Sequence, residues 1–438
     1  MFAHKPQKSI VLAAGLRTPW ARAGGAFARE DSAHLGSKVS RELFARTGVR
    51  PSDVDEVVAG CVGPAHDQAN VGRVLALRAG VPRQVPARTV ARNCASGIEA
   101  VTTAATSIEA GQGDLFLSVG VEVMSAYPLV FGKKMTGLFA KLASARSLGA
   151  RLSAISSFRP SFLKPRVALM EGLTDPTCDL IMGSTAEKLA REFTISREES
   201  DAFALDSHER AKNARAEGRF ADEILPHLPN EAKRGQSTLE HDDGIRDEQT
   251  LEALAKLRPY FEKPDGIVTV GNSCGITDGA AALLVATEDR ARELGMKPLA
   301  RIKSWSWAGL DPSRMGLGPV YSSAGALDAA GCTLADMGAI EINEAFAAQV
   351  LACMKAAESD TFAKKELGRD KALGTFDPEK LNRNGGAIAL GHPVGATGAR
   401  LLLTTALELQ KRDVELGLAT LCIGGGQGGA VVLERIAA

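Results

Sequence analysis

Five short clusters hold the residue types that can do chemistry. In Asn93-Cys94-Ala95-Ser96-Gly97-Ile98-Glu99-Ala100 a strand-like segment, Ala87 to Ala91, runs straight into Cys94, and helical spacing begins directly after it. A thiol at a helix N-terminus sits at the positive end of the macrodipole beside unpaired N–H groups, and both favour the thiolate. An isolated cysteine is ordinarily an inert buried hydrophobe. Here the small neighbours, which let a substrate or another backbone come close, weigh toward a nucleophile. The second cluster is Gly385-Gly386-Ala387-Ile388-Ala389-Leu390-Gly391-His392-Pro393-Val394-Gly395-Ala396-Thr397-Gly398-Ala399-Arg400. Its histidine, one of seven in the chain, is flanked by glycines just ahead of a helix, so a general base is favoured over a merely solvated loop residue.

The third cluster, Cys422-Ile423-Gly424-Gly425-Gly426-Gln427-Gly428-Gly429, closes an apolar strand at Leu416 to Leu421. Its glycines offer backbone N–H groups to a phosphate or to an oxyanion. The lysine and Ser/Thr of a P-loop are missing and another strand follows, which disfavours nucleotide phosphate. The fourth, Asn343-Glu344-Ala345-Phe346-Ala347, ends a strand at Ile340, where polar groups suit a site; a helix N-cap by Asn343 is the plainer alternative. The fifth, Gly271-Asn272-Ser273-Cys274-Gly275-Ile276-Thr277-Asp278-Gly279-Ala280-Ala281, is a polar glycine turn expected to lead from a strand near Val268 into a small-residue helix.

The elements that must position these groups read as a layered α/β protein. Short apolar runs at Ser9 to Ala13, Glu56 to Val62, Asp114 to Val123, Gly266 to Val270, Ile340 to Ile342, Leu416 to Cys422 and Ala430 to Leu433 predict strands buried on both faces. Helical spacing at Ala95 to Ala110, Gly183 to Phe193, Ser196 to Glu217 and Ala396 to Leu409 alternates with them. The order strand, chemical group opening a helix, strand occurs near Glu56, Cys94 and Leu115 and again near Ile340, His392 and Leu416, as a duplicated domain would give.

Composition limits the class. The 438 residues are 45% hydrophobic and 24% charged, which excludes a disordered chain. Lys plus Arg equals Asp plus Glu at 52 each, so no global charge argues for a nucleic acid. Seven scattered cysteines without a C-x-x-C spacing argue against disulfides and zinc. With no signal-like leader and no apolar run of about 18 residues, a soluble cytoplasmic protein is expected. One local bias stands out. From Ala126 through Met170 there is no acidic residue, while Lys133, Lys134, Lys141, Arg146, Arg151, Arg159, Lys164 and Arg166 alternate with Phe131, Leu138, Phe139, Leu142, Phe158 and Phe162. This cationic amphipathic stretch is either a solvated helical excursion or a contact with the phosphates of a cofactor, a partner subunit or an anionic membrane through residues 131–166.

The five clusters, in this order and over nearly the whole chain from Arg17-Thr18-Pro19 to Cys422-Ile423-Gly424-Gly425-Gly426, resemble the thiolase family. The basic insertion and the Ile181-Met182-Gly183 segment are most similar to the β subunit of the fatty-acid-oxidation trifunctional complex, although those subunits usually have histidine where this chain has Asn343. The resemblance implies a duplicated α/β/α/β/α five-layered fold with an inserted loop domain. One half would span 1–125, completed by 266–293, the loop domain 126–265, and the second half 294–438. It implies thiolytic cleavage of 3-ketoacyl-CoA by CoA to acetyl-CoA and a shortened acyl-CoA, as in β-oxidation. Cys94 would be the nucleophile activated by His392, Cys422 the second acid and base, Asn343 the holder of a water, and Gly424 an oxyanion donor. CoA, a substrate and not a permanently bound cofactor, would contact Leu173, Met182, Ser273, Cys274, Ala345 and Phe346; many relatives have serine at the Cys274 position. A homodimer or dimer of dimers is implied, with room for a hydratase/dehydrogenase α-type subunit. The alternatives are a short-chain acetyl-CoA C-acetyltransferase, a ketoacyl synthase, against which Cys422 and Asn343 stand, and a non-catalytic acyl-CoA or lipid-binding relative.

Overall fold

A computed structural model describes residues 1–229 and 238–436; residues 230–237, within the expected loop domain, and 437–438 lie outside the described residues. The principal elements of the first part are β1 (Ile10–Arg17), α1 (Ser32–Thr47), β2 (Glu56–Gly60), α2 (Val71–Arg78), β3 (Ala87–Val90), α3 (Ser96–Glu109) and β4 (Leu115–Val123). An excursion follows with α4 (Lys133–Ser144), α5 (Leu148–Ser156), α6 (Met182–Glu192) and α7 (Arg197–Ala216), and the chain returns to the sheet as β5 (Thr277–Thr287). The remainder comprises β6 (Ala300–Gly309), α8 (Gly318–Ala330), β7 (Met337–Ile342), α9 (Ala347–Ala357), α10 (Val394–Lys411), β8 (Leu416–Ile423) and β9 (Gln427–Arg435).

The strands run β3-β2-β4-β5-β1 and then β6-β9-β8-β7. In the first half β2 is parallel to β3 and β4, and β5 is antiparallel to β4 and β1. The second half repeats the pattern, with β7 parallel to β8 and β9 antiparallel to β8 and β6. The two sheets implied by the resemblance are joined at one corner, where Leu12 faces Ala300 and Val11 faces Arg301. The fifth strand of the second half is the short Phe2–His4, paired with β6, while the place that β3 takes in the first half holds no strand among the described residues. At that place Leu381 makes a single parallel bridge to Ile340, and the Asn382 side chain takes over the pairing, accepting from Ile342 N and donating to Ile342 O, both at 2.9 Å.

Three apolar clusters fill the spaces between layers. One lies between the first sheet half and α1 and α2, one between the second half and α8 and α9, and the central one holds α3 and α10. The two central helices meet backbone to backbone. A Cβ on Gly97 would sit 2.4 Å from Ala399 N, and one on Gly398 would sit 2.6 Å from Ile98 N, so this crossing needs glycine at both positions.

Two local expectations are corrected. Gly266 to Val270 is not a strand: the Glu187 carboxylate accepts from Ile267 N (3.0 Å) and Val268 N (2.9 Å), and Asn272 Oδ1 from Thr269 N (2.8 Å), so its N–H groups bind side chains and not a ladder. The small-residue segment after Cys274 is not a helix but β5, buried on both faces. Ala280, Ala282, Leu284 and Ala286 face the outer core and Ala281, Leu283 and Val285 the central one. Because both faces are apolar, the two-residue period leaves no trace in polarity.

In the excursion, α4 and α5 enclose a small core of Met135, Leu138 and Ala154, with Phe158 and Phe162 packed on it. Outside it, Phe131, Phe139, Leu148 (75% exposed), Leu152 (58%) and Ile155 are open to solvent. Among the described residues no helix is long and apolar enough to cross a membrane.

Candidate active site

The site forms where four strand or helix ends from both halves converge. Cys94 precedes the first turn of α3, reached through Asn93 in the left-handed region (φ 43°). The Asn93 amide holds that turn by donating to Gly424 O at 2.7 Å. Burial pushes the Cys94 thiol up, while the N–H groups of Gly424 and of Cys94 itself face the sulfur and oppose that rise. Two N–H donors thus converge on one atom, the geometry that stabilises an anion.

His392 lies on the turn before α10, after Gly391 at φ 106°, and is buried. The Thr397 hydroxyl donates to Pro393 O (3.0 Å), so its lone pair accepts from His392 Nδ1 at 2.6 Å. This network assigns the proton to Nδ1 and leaves Nε2 as the basic nitrogen. Asn343 Nδ2 donates toward Nε2 at 3.4 Å, and Asn343 Oδ1, wholly buried, has no partner among the described residues. Burial, with a contribution from Arg400, brings the His392 pKa down to about 3, so the ring is neutral at ordinary pH. The N-cap alternative for Asn343 does not hold, because α9 starts at Ala347 with Phe346 in the cap position.

Cys422 ends β8 and is buried; burial and then its neighbour Cys94 hold its thiol well above the usual range. Cys274 is pushed up to about 12, by burial and then by Cys94. Its N–H donates to Ala345 O (3.0 Å), and Ser273 forms a bridge with Phe346, so the fourth and fifth clusters are stitched together. The Ser273 hydroxyl is already engaged, donating to Thr269 O at 2.6 Å.

Cys94, His392, Cys422 and Gly424 line one cavity of about 120 Å³, together with Leu173, Met182, Cys274, Ala345 and Phe346. A larger pocket of about 460 Å³ shares Leu173, Met182, Cys274, Phe346 and His392, and adds Ser273, Tyr260 and Phe261. Lys133, Lys134 and Lys141 line neither.

Sequence reasoning missed the buried carboxylates that brace the site. Glu122, one residue from the end of an apolar strand, accepts from Val62 N (2.9 Å), Gly63 N (3.0 Å), Gly395 N (3.0 Å) and Tyr127 Oη (3.1 Å). Burial pushes its carboxyl up against those donors. Glu344 turns away from the cavity and accepts from Ser207 Oγ (2.7 Å), Asn382 Nδ2 (2.7 Å) and Ile388 N (3.2 Å), tying the Asn343 strand end to the loop before His392. A lone glutamate inside Val119-Gly120-Val121-Glu122-Val123 was the available signal, since such a residue is buried only with partners.

Comparison with known proteins gives a consistent result. Residues 10–289 match the family model described as "Thiolase, N-terminal domain" and residues 296–435 match "Thiolase, C-terminal domain". The chain is 39% identical over 427 residues to a 3-ketoacyl-CoA thiolase of Pseudoalteromonas translucida, covering 97% of this chain and 96% of that one. It is 40% identical over 428 residues to an acetyl-CoA acetyltransferase of Rhizobium meliloti, covering 98% and 99%. Among solved structures, human mitochondrial 3-ketoacyl-CoA thiolase in complex with CoA superposes with a TM-score of 0.84 at 35% identity, covering 98% of each chain. The Bacillus anthracis acetyl-CoA acetyltransferase gives 0.85 at 36% identity, covering 99% and 100%.

Proposed function

The chain belongs to the thiolase family, and from that premise we propose that it cleaves 3-ketoacyl-CoA with CoA, giving acetyl-CoA and an acyl-CoA shortened by two carbons. The observation that carries this reading is the meeting, in one cavity, of the Cys94 and Cys422 thiols, a neutral buried imidazole and the N–H of Gly424.

His392 Nε2 takes the Cys94 proton, and the thiolate attacks the 3-keto carbon. The resulting oxyanion is held by the N–H groups of Cys94 and Gly424, whose orientation toward the sulfur supports this role. As the oxyanion collapses, the C2–C3 bond breaks; the electron pair goes to the departing acetyl-CoA enolate, and Cys422 delivers the proton to C2. His392 and a water held on the unpartnered Asn343 Oδ1 stabilise the enolate oxygen. A second CoA thiol, deprotonated by Cys422, then attacks the Cys94 thioester and releases the shortened acyl-CoA. Burial keeps both thiols protonated at rest, so each proton moves only when its step demands it.

The pantetheine arm of CoA lies in the larger pocket, against Leu173, Met182, Cys274 and Phe346, with Ala345 at the small cavity that it leads to; Ser273, whose hydroxyl is spent on Thr269 O, contributes backbone and bulk. The chain acts at least as a homodimer, and β3, which ends the sheet, is the edge a second copy would take. The exposed apolar and cationic outer face of α4 and α5 suits an α-type partner subunit or an anionic surface. The domain division at 125/126, 265/266 and 293/294 is part of this proposal; it is supported by the chain leaving the sheet after Val123 and rejoining it only at Thr277.

Incubation with acetoacetyl-CoA and CoA is the test. Acetyl-CoA formation and an acyl adduct that peptide mapping assigns to Cys94 are expected. Neither cleavage nor adduct, with this and a longer 3-ketoacyl-CoA, overturns the proposal.

A further inference from the structure

The size and walls of the cavity at Cys94 speak to the acyl group it can hold. At about 120 Å³ it is smaller than the roughly 150 Å³ that accommodates a benzene-sized ligand. Room for about five heavy atoms is room for a butyryl group and not for an octanoyl one. Val62, Tyr127, Leu169 and Met315 form a wall of the small cavity that the larger pocket does not share.

Tyr127 is a fixed part of this wall. Its ring lies against Gly63, so closely that a Cβ there would come within 2.3–2.6 Å of ring atoms. Its hydroxyl donates to Glu122 Oε1 at 3.1 Å, and Glu122 is fully buried. That carboxylate is in turn held by the N–H groups of Val62, Gly63 and Gly395. Swinging the ring aside would strip a buried carboxylate of a donor and open the contact with Gly63, a cost that an acyl tail gains back only if it fills the space well.

We infer that Tyr127, held by Glu122 and seated on Gly63, is the specificity-determining residue that restricts the acyl group carried on Cys94 to short chains. This rests on the acyl-transfer reading above. Tyr127 moves no proton and touches no reacting atom; it ends the space available to the tail. A tail that finds no room is expected to lower kcat/KM by about tenfold or more.

The experiment compares kcat/KM for acetoacetyl-CoA, 3-ketohexanoyl-CoA and 3-ketodecanoyl-CoA, with CoA saturating. The wild-type protein should lose at least about tenfold between the six- and ten-carbon substrates. Tyr127→Ala should raise the ratio of ten-carbon to four-carbon activity by about tenfold or more, and Tyr127→Phe, which keeps the ring, should leave that ratio within about threefold. Tyr127→Leu carries the same sign as alanine and serves where alanine costs the fold. Equal wild-type activity at four and ten carbons overturns the inference, as does a Tyr127→Ala variant that changes all three substrates equally. No cleavage of any substrate by the wild-type protein would instead remove the acyl-transfer reading, and this inference with it.

Discussion

The two halves of the molecule are built alike and equipped differently. In each, a parallel strand pair is followed by an antiparallel pair, and a central helix starts at the site: α3 after Cys94 in one half, α10 after His392 in the other. The strand that follows each helix also ends at the site, in Glu122-Val123 on one side and Cys422-Ile423 on the other. Equivalent places therefore carry the proposed nucleophile and the proposed base, a bracing carboxylate and a thiol. What repeats is the device of presenting a side chain at a strand or helix end, whereas the chemistry comes from what each copy places there.

That division predicts unequal consequences. Cys94→Ala should lower kcat by about 10⁴-fold or more and abolish the acyl adduct, because no other group can carry the acyl chain. Cys422→Ser, in the equivalent region of the other half, should cost about 10²–10⁴-fold while still permitting adduct formation on Cys94. Rapid quench with mass mapping of the peptides separates the two. An adduct on Cys422 in the Cys94→Ala variant would break the assignment of covalent chemistry to the first half.

His392→Gln should cost about 10²–10⁴-fold in kcat/KM, the range for a general base. Its pH behaviour sharpens the contrast further. The folded-state pKa, about 3, lies below the ordinary 6.5 because burial disfavours the imidazolium. On the acid side, kcat/KM should therefore show no step near pH 6.5 that belongs to this ring. The sign for stability follows: below pH 6.5 the unfolded chain takes up a proton at this position that the folded one refuses. Stability is thus lost progressively as the pH falls from 6.5 toward 3, and above 6.5 this group makes stability neither rise nor fall with pH. Denaturant midpoints for wild type and His392→Gln should diverge as the pH is lowered, the wild type falling more steeply. Parallel curves would mean that the imidazole is protonated in the fold.

The sequence made the proposed reacting groups legible because each sits beside glycines at the end of an apolar run, where small residues and one reactive side chain form a local pattern. Cys94, His392, Cys422 and Gly424 meet in one cavity accordingly. The elements between them were harder to read. Thr277 to Thr287 has the alanine content of a helix, and its strand period is hidden by apolar surroundings on both sides. Gly266 to Val270 has the composition of a strand, yet Glu187, some eighty residues away in sequence, takes its N–H groups. Glu122 and Tyr127 have no motif around them. Their importance arises from the Gly63 and Gly395 backbones that the fold brings to them.

The smallest predicted effect concerns a place where the repeat is incomplete among the described residues. The edge of the first half is closed by β3, a strand, and that of the second by Asn382. This residue sits in the left-handed region at φ 44°, which costs a non-glycine residue about 1–2 kcal/mol, and its amide repays that by bonding Ile342 N, Ile342 O and the Glu344 carboxylate. Asn382→Ala keeps the backbone cost and leaves buried partners without theirs, so a loss of about 3 kcal/mol in unfolding free energy is expected. Asn382→Gly removes the backbone cost as well as the side chain, and should recover about 1 kcal/mol of that loss. Because Glu344 also braces the loop before His392, kcat should fall in both variants, whereas a side chain serving the edge alone would change stability and leave kcat untouched. If Asn382→Ala unfolds within about 0.5 kcal/mol of wild type, the amide does not replace the missing strand, and the edge of β7 must be satisfied by water.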